Sequence, residues 1–151
     1  MKKADAVAWT LGKLKDSGEV AEESKIPGVE ILSTDRNGKR KAIHVYNRTI
    51  GPTEGLNVAL REEEQIKLKD AAAQANAVPV VVFVLDTPQG NHRIHFPLSA
   101  IERAADDPTK EYIKWGRDGR SKNPNDINFN FGEGKRIHYA TDMANDMTVW
   151  E

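Results

Sequence analysis

Apolar and polar side chains alternate over residues 28–49, on both sides of a short polar turn at 35–38. Side chains of a β-strand point to opposite faces in turn, so this alternation indicates strands that are buried mainly on one face. The turn contains Asn37-Gly38, and Asn-Gly is typical of two-residue hairpin turns because both residues tolerate positive φ. The segment therefore predicts a β-hairpin.

The return arm of this hairpin places polar side chains on one face. His44, Tyr46 and Arg48 alternate with apolar residues, so they point to the same side of the predicted strand. Glu30 on the first arm is near enough across the ladder to join them. Simpler interpretations stay open, namely a solvated strand residue for Glu30, a cross-strand partner for His44, a surface hydroxyl for Tyr46 and a sheet-edge charge for Arg48.

Four stretches have the spacing or the composition of helices. Residues 3–16 place apolar side chains at i, i+4 and i+7, which makes one apolar stripe. The segment at about 60–77 starts with an acidic turn, which the helix macrodipole favours, and continues with strong helix formers. Shorter helices are predicted at 99–105 and, as a final turn, within 142–150.

Other stretches favour strands. The continuous β-branched run at 78–85 predicts a strand that is buried on both faces, and a second strand is predicted at 93–96. Apolar residues alternate with asparagines over 127–131, and a return segment follows at 136–140. This pattern predicts a peripheral hairpin. The segment 19–26 stays open between a loop and the end of a short helix.

Composition narrows the class of protein. The chain has 151 residues, 38% of them hydrophobic, and its 22 basic and 23 acidic residues give a net charge of -1. This length suits one domain with a real core. The longest apolar run is far shorter than the roughly 20 residues that cross a bilayer, so no membrane partner is expected. The absence of cysteine and the charged amino-terminal stretch lead us to expect a reducing, cytoplasmic location.

The predicted order of elements resembles the core of the PD-(D/E)xK nuclease superfamily, which has the restriction-endonuclease-like fold. Residues 28–31 (Gly-Val-Glu-Ile) are similar to the family's first core strand, with Glu30 in the acidic position. Residues 34–38 (Thr-Asp-Arg-Asn-Gly) are similar to the turn that follows it. A helix and a buried strand then arrive in the family's order, and residues 93–101 resemble the strand and helix that often close such domains.

The resemblance implies an α/β fold with a mixed β-sheet flanked by helices, in an αβββαβ-type core. It implies one nuclease-like domain over residues 1–151. The core would cover about residues 1–105, and a C-terminal β-hairpin extension would cover about 106–151.

The chain departs from the family pattern where the chemistry is expected. The family's Glu-x-Lys falls on His44-Val45-Tyr46, so a histidine replaces a carboxylate and a tyrosine replaces the lysine. The resemblance implies site positions at Glu30, His44 and Tyr46, with Glu30 and His44 as metal ligands. Arg48 lies on the same predicted face and could replace the missing basic group, so it is the fourth candidate catalytic residue. An active site would use Mg²⁺ or Mn²⁺. Because Mg²⁺ prefers oxygen ligands and imidazole suits Mn, Zn or Fe better, we interpret the site as degenerate.

The stretch 110–122 is a second candidate site, since its cations and an aromatic residue suit phosphate contacts and base stacking. A solvated loop is the simpler interpretation. The candidate nucleic-acid-binding residues are Lys110, Lys114, Trp115, Arg117, Arg120 and Lys122.

Two hypotheses from different classes remain at this point. The first is a catalytically degenerate nuclease-like protein that binds nucleic acid or a protein partner, with a homodimer as a further option. Its protein-binding surface would use late aromatic residues, which are typical interface anchors: Trp115, Phe129, Phe131 and Trp150. The alternative is a metal-dependent nuclease, a phosphodiesterase with an altered active site that acts on DNA or RNA.

Overall fold

A mixed β-sheet organises the residues that the computed structural model describes, which are 1–51, 57–88, 90–106, 123–130 and 148–150. The helices are α1 (Lys3–Asp16), α2 (Glu62–Gln74) and α3 (Leu98–Ala105). The strands are β1 (Val20–Glu23), β2 (Ile31–Thr34), β3 (Arg40–Thr49), β4 (Asn57–Leu60), β5 (Val78–Thr87), β6 (Gly90–Pro97), β7 (Ile127–Asn130) and β8 (Thr148–Trp150).

The main sheet has six strands in the order β1-β2-β3-β5-β6-β8, and β4 pairs with β7 in a separate ladder. β3 and β5 are parallel, whereas the other neighbours in the main sheet are antiparallel. A parallel pair needs a crossover connection, and the chain from β4 through α2 supplies it. This arrangement confirms the predicted mixed α/β class. Within the described residues, no helix combines the length and the apolar character needed to cross a membrane.

Both faces of the sheet are buried at β5, which lies between β3 and β6. Val80, Val82 and Val84 belong to a core under α1, and Val81 and Phe83 belong to the core under α2 and α3. Each of these side chains is at most 1% exposed. The continuous apolar run is therefore required by the position of the strand, as its sequence predicted.

β2 and β3 form the predicted hairpin, but its turn is longer than two residues. The N–H of Asp35 donates to the carbonyl of Lys39 at 2.9 Å, which leaves a three-residue loop between them. The carboxylate of Asp35 accepts hydrogen bonds from the N–H groups of Asn37 and Lys39, at 2.9 Å each. Within the loop only Gly38 has a positive φ, of 84°. A three-residue loop that ends on a left-handed glycine is a common hairpin connection.

Three short strands differ from the sequence-based predictions. β1 lies within residues 19–26, for which the sequence indicates a loop or the end of a short helix; its four residues instead pair with β2. β8 pairs with β6, so residues 148–150 are a strand rather than part of a helical turn; residues 142–147 lie outside the described part of the chain. β7 pairs with β4, and its predicted partner at 136–140 lies outside the described residues.

Trp150 packs against α1 and β6. Its ring centroid lies 5.9 Å from that of Trp9 and 5.5 Å from that of His95. Burial lowers the pKa of His95 to about 3, and the positive charges of Lys41 and Lys39 add to the effect. The imidazole is therefore neutral at physiological pH and acts as part of the core on the α1 face.

Candidate functional site

The candidate site lies where β2 begins beside the middle of β3. Glu30 directly precedes β2, and its N–H donates to the carbonyl of Ile43 at 2.9 Å. The strand register pairs Ile31 with Ile43, which places Glu30 across from His44. The alternation of side chains along both arms therefore predicted this juxtaposition, and the structure brings the two residues together.

Val45 is the next residue of β3 whose backbone points toward β2, but the pairing of β2 with β3 has already ended. The carboxylate of Glu30 serves as the hydrogen-bond acceptor that a continuing strand would have provided. Its Oε1 accepts a hydrogen bond from the Val45 N–H at 3.2 Å. The ammonium of Lys3 donates to the Val45 carbonyl. Lys3 Nζ also lies 2.7 Å from Glu30 Oε1. Two charged side chains thus satisfy backbone groups that would otherwise lose their partners.

The imidazole of His44 lies between two carboxylates, and each of its ring nitrogens faces one of them. Its Nδ1 lies 2.9 Å from Glu30 Oε1 and 3.4 Å from Glu30 Oε2. Its Nε2 lies 3.9 Å from the Oε2 of Glu64, in the first turn of α2, which is too long for a hydrogen bond. Both of these facing atoms are buried and have no hydrogen-bond partner among the described residues. The ring is therefore oriented by Glu30.

Glu30 is ionised at neutral pH. Burial alone would raise the pKa of its carboxyl group, but hydrogen bonds and charge from His44, followed by those from Lys3, outweigh burial and lower the pKa. The Glu30 side chain is 20% exposed, and that of His44 is 14% exposed. The carboxylate is therefore partly shielded from water, and its negative charge is compensated by groups of the protein itself.

Tyr46 and Arg48 follow His44 along β3 at the spacing that places them on the same face. The ring of Tyr46 packs against the ring of Phe83 in β5, with centroids 5.6 Å apart. Arg48 is half-buried near the end of the strand. Tyr46 thus packs as part of the core on the α2 face.

The candidate nucleic-acid-binding residues of the 110–122 stretch lie outside the described part of the chain. These residues are Lys110, Lys114, Trp115, Arg117, Arg120 and Lys122. Their role stays a prediction.

Sequence reasoning missed two residues of the site. The sequence indicates Glu64 only as part of the acidic first turn of a helix, yet it lies beside His44 because α2 packs on that face of the sheet. Lys3 comes from α1, far away in sequence, and its contacts with Glu30 and Val45 depend on where that helix meets the sheet. No spacing rule links these positions to the hairpin, so only the tertiary structure could identify them.

The described residues do not fit a divalent metal ion as they stand. No group of three or more histidine or acidic side chains is arranged to hold one in the part of the chain that the structure describes. Glu30 Oε1 already has an ammonium at 2.7 Å, and a cation bound to the same oxygen would lie next to that positive charge.

Comparison with known proteins supports the architecture. No protein-family model and no curated protein matches the chain. Among solved structures, Hjc, a Holliday junction resolvase from the archaeal hyperthermophile Archaeoglobus fulgidus, is similar, with a TM-score of 0.55. The sequences are 17% identical, and the match covers 86% of this chain and 84% of that chain. The chain thus has the restriction-endonuclease-like fold, as the sequence resemblance implied.

Proposed function

We propose that this protein is a nuclease-like module that binds nucleic acid without cleaving it. The observation that carries the proposal is the arrangement at His44 and Tyr46. In the family pattern that the sequence resembles, His44 falls at the second carboxylate, and in the structure its Nδ1 lies 2.9 Å from Glu30 Oε1. In the same pattern Tyr46 falls at the lysine, and in the structure its ring packs against Phe83.

Cleavage of a phosphodiester needs charge stabilisation at the phosphate and at the leaving oxygen, together with an activated water. In this site the charge of the Glu30 carboxylate is compensated by Lys3 and His44, and the Glu64 carboxylate lies on the other side of the imidazole, 3.9 Å from Nε2. Tyr46 has no positive charge to offer. We therefore assign no hydrolysis to this site and place the phosphate contacts on cations outside the Glu30–His44 pair.

Nucleic acid is the partner that the fold favours, since the similar solved structure is that of a Holliday junction resolvase. Phosphate contacts by lysine and arginine dominate the affinity of such proteins. Arg48 is the candidate phosphate contact on β3, because it lies on the site face at the end of the strand. The 110–122 stretch would add further cations and Trp115.

Binding can be measured by fluorescence anisotropy with a labelled four-way DNA junction and a duplex of the same sequence, in EDTA. We expect both to bind at about 50 mM salt and to weaken steeply toward about 200 mM, because counterions are released on binding. Arg48→Gln should weaken binding and reduce the salt slope by about 1. Arg40→Gln, at the opposite end of the same strand, is the matched control and should bind like the wild type.

If neither the junction nor the duplex binds at the lowest salt concentration, the proposal is contradicted and a protein partner is favoured instead.

The alternative function, a metal-dependent nuclease with an altered site, is supported by one observation. His44 is held by Glu30 through Nδ1, and its buried Nε2 faces Glu64 Oε2 at 3.9 Å. A histidine oriented by a carboxylate is suited to act as a general base or a metal ligand. Cation-dependent cleavage would separate this alternative from the non-cleaving module.

A further inference from the structure

We infer that the ammonium group of Lys3 is the built-in cation of this site and excludes divalent metal ions from it. Two oxygen atoms from different elements converge on Lys3 Nζ. One is Glu30 Oε1, at 2.7 Å. The other is the carbonyl oxygen of Val45, which accepts a hydrogen bond from the same ammonium.

These two oxygens are of the kind that bind hard divalent cations in proteins, namely a carboxylate and a backbone carbonyl. They come from the residue before β2 and from the middle of β3, and the hydrogen bond from the Val45 N–H holds Glu30 Oε1 beside that backbone. A cation is favoured where they meet, because the Glu30 carboxylate is partly buried there. The chain supplies that cation from α1.

Charge balance explains why the ammonium and a metal ion compete. Lys3 and Glu30 together have no net charge, and His44 adds a third contact to the same carboxylate. A divalent ion would have to displace the ammonium, since two positive charges on one carboxylate oxygen repel each other. The Lys3 side chain is 47% exposed, so it can leave without disrupting a core.

This inference rests on the proposed function, in which the site does not cleave nucleic acid. Metal binding can nevertheless be measured without nucleic acid. The experiment follows backbone amide signals of the ¹⁵N-labelled 151-residue chain by NMR during addition of Mn²⁺, whose paramagnetism broadens signals close to it. The variants are Lys3→Met and the double variant Lys3→Met/Glu30→Gln. Lys2→Met is the matched control, because it removes the same charge from the neighbouring residue, which is exposed.

In the wild type and in Lys2→Met, we expect the amides of Glu30 and Val45 to stay sharp at Mn²⁺ concentrations that broaden them in Lys3→Met. The difference in concentration should be about tenfold or more, since a positive charge has been removed from contact with the ligand oxygen. The double variant should return to the wild-type behaviour. Lys3→Gln serves as a second variant, which tests the same charge with a polar side chain if Lys3→Met does not give a folded spectrum.

Two results would overturn the inference. If the amide signals of Glu30 and Val45 broaden in the wild type at the same Mn²⁺ concentration as in Lys3→Met, the ammonium does not exclude the divalent ion. Absence of broadening in both folded Lys3 variants would show that the position does not accept a divalent ion. Neither result bears on binding of DNA in EDTA, so the two proposals can fail separately.

Discussion

Replacing Phe83 with alanine is expected to lower the free energy of unfolding by about 4 kcal/mol. Phe83 is fully buried in β5, between the strands that flank it on both sides. Its ring packs against Phe96 with centroids 6.0 Å apart and against Tyr46 at 5.6 Å. Removal of the ring leaves a cavity that the rigid centre of a sheet cannot close.

Urea unfolding followed by circular dichroism measures this change. Ile66→Ala is the matched control: Ile66 is 50% exposed on α2, so its truncation should change the free energy of unfolding by no more than about 0.5 kcal/mol. A loss of less than about 1 kcal/mol for Phe83→Ala would be inconsistent with a central position for β5.

Replacing Glu30 with alanine is expected to lower the free energy of unfolding by about 2 kcal/mol. The substitution removes the acceptor of the Val45 N–H and the partner of both Lys3 and His44. The side chain is 20% exposed, so water compensates for part of the loss and the effect stays below that of a fully buried ion pair.

Urea unfolding of Glu30→Ala and Glu30→Gln at several pH values tests the origin of the effect. Glu23→Ala, an exposed glutamate on β1, is the control and should be nearly neutral. Because the folded-state pKa of Glu30 is lowered from 4.5, its stabilising effect is complete above that value and is lost as the pH falls through the lowered pKa. The difference between the wild type and Glu30→Gln should therefore shrink in acid, and a constant difference would argue against the ion pairs.

Much of the fold could be predicted from the sequence because the local spacing of apolar and polar residues determines its main strands. The valine run at 78–85 is apolar on every residue, and only a strand covered on both faces requires that. The hairpin follows from alternation and from Asp35 and Gly38 in its turn. β1 escaped prediction because its four residues, Val20–Glu23, have a single buried position and no clear period.

The site could be predicted only in part, because local pattern determines the positions of some of its residues and helix packing determines the others. Glu30 and His44 lie on paired arms of one hairpin, so alternation alone places them together. Lys3 and Glu64 reach the same point from helices on opposite faces of the sheet. Their positions depend on how helices pack, which no local pattern encodes. The tethered ammonium, which changes the chemistry of the site, is therefore a property of the tertiary structure.

The most direct measurement of the central claim is a single-turnover cleavage assay. Excess protein is incubated with an end-labelled four-way DNA junction and a duplex of the same sequence in Mg²⁺ or Mn²⁺, and the strands are separated on a denaturing gel. We expect every strand to stay at full length while a parallel native gel shows the bound complex. Cleavage that requires the divalent cation and is absent in Glu30→Gln would contradict the account.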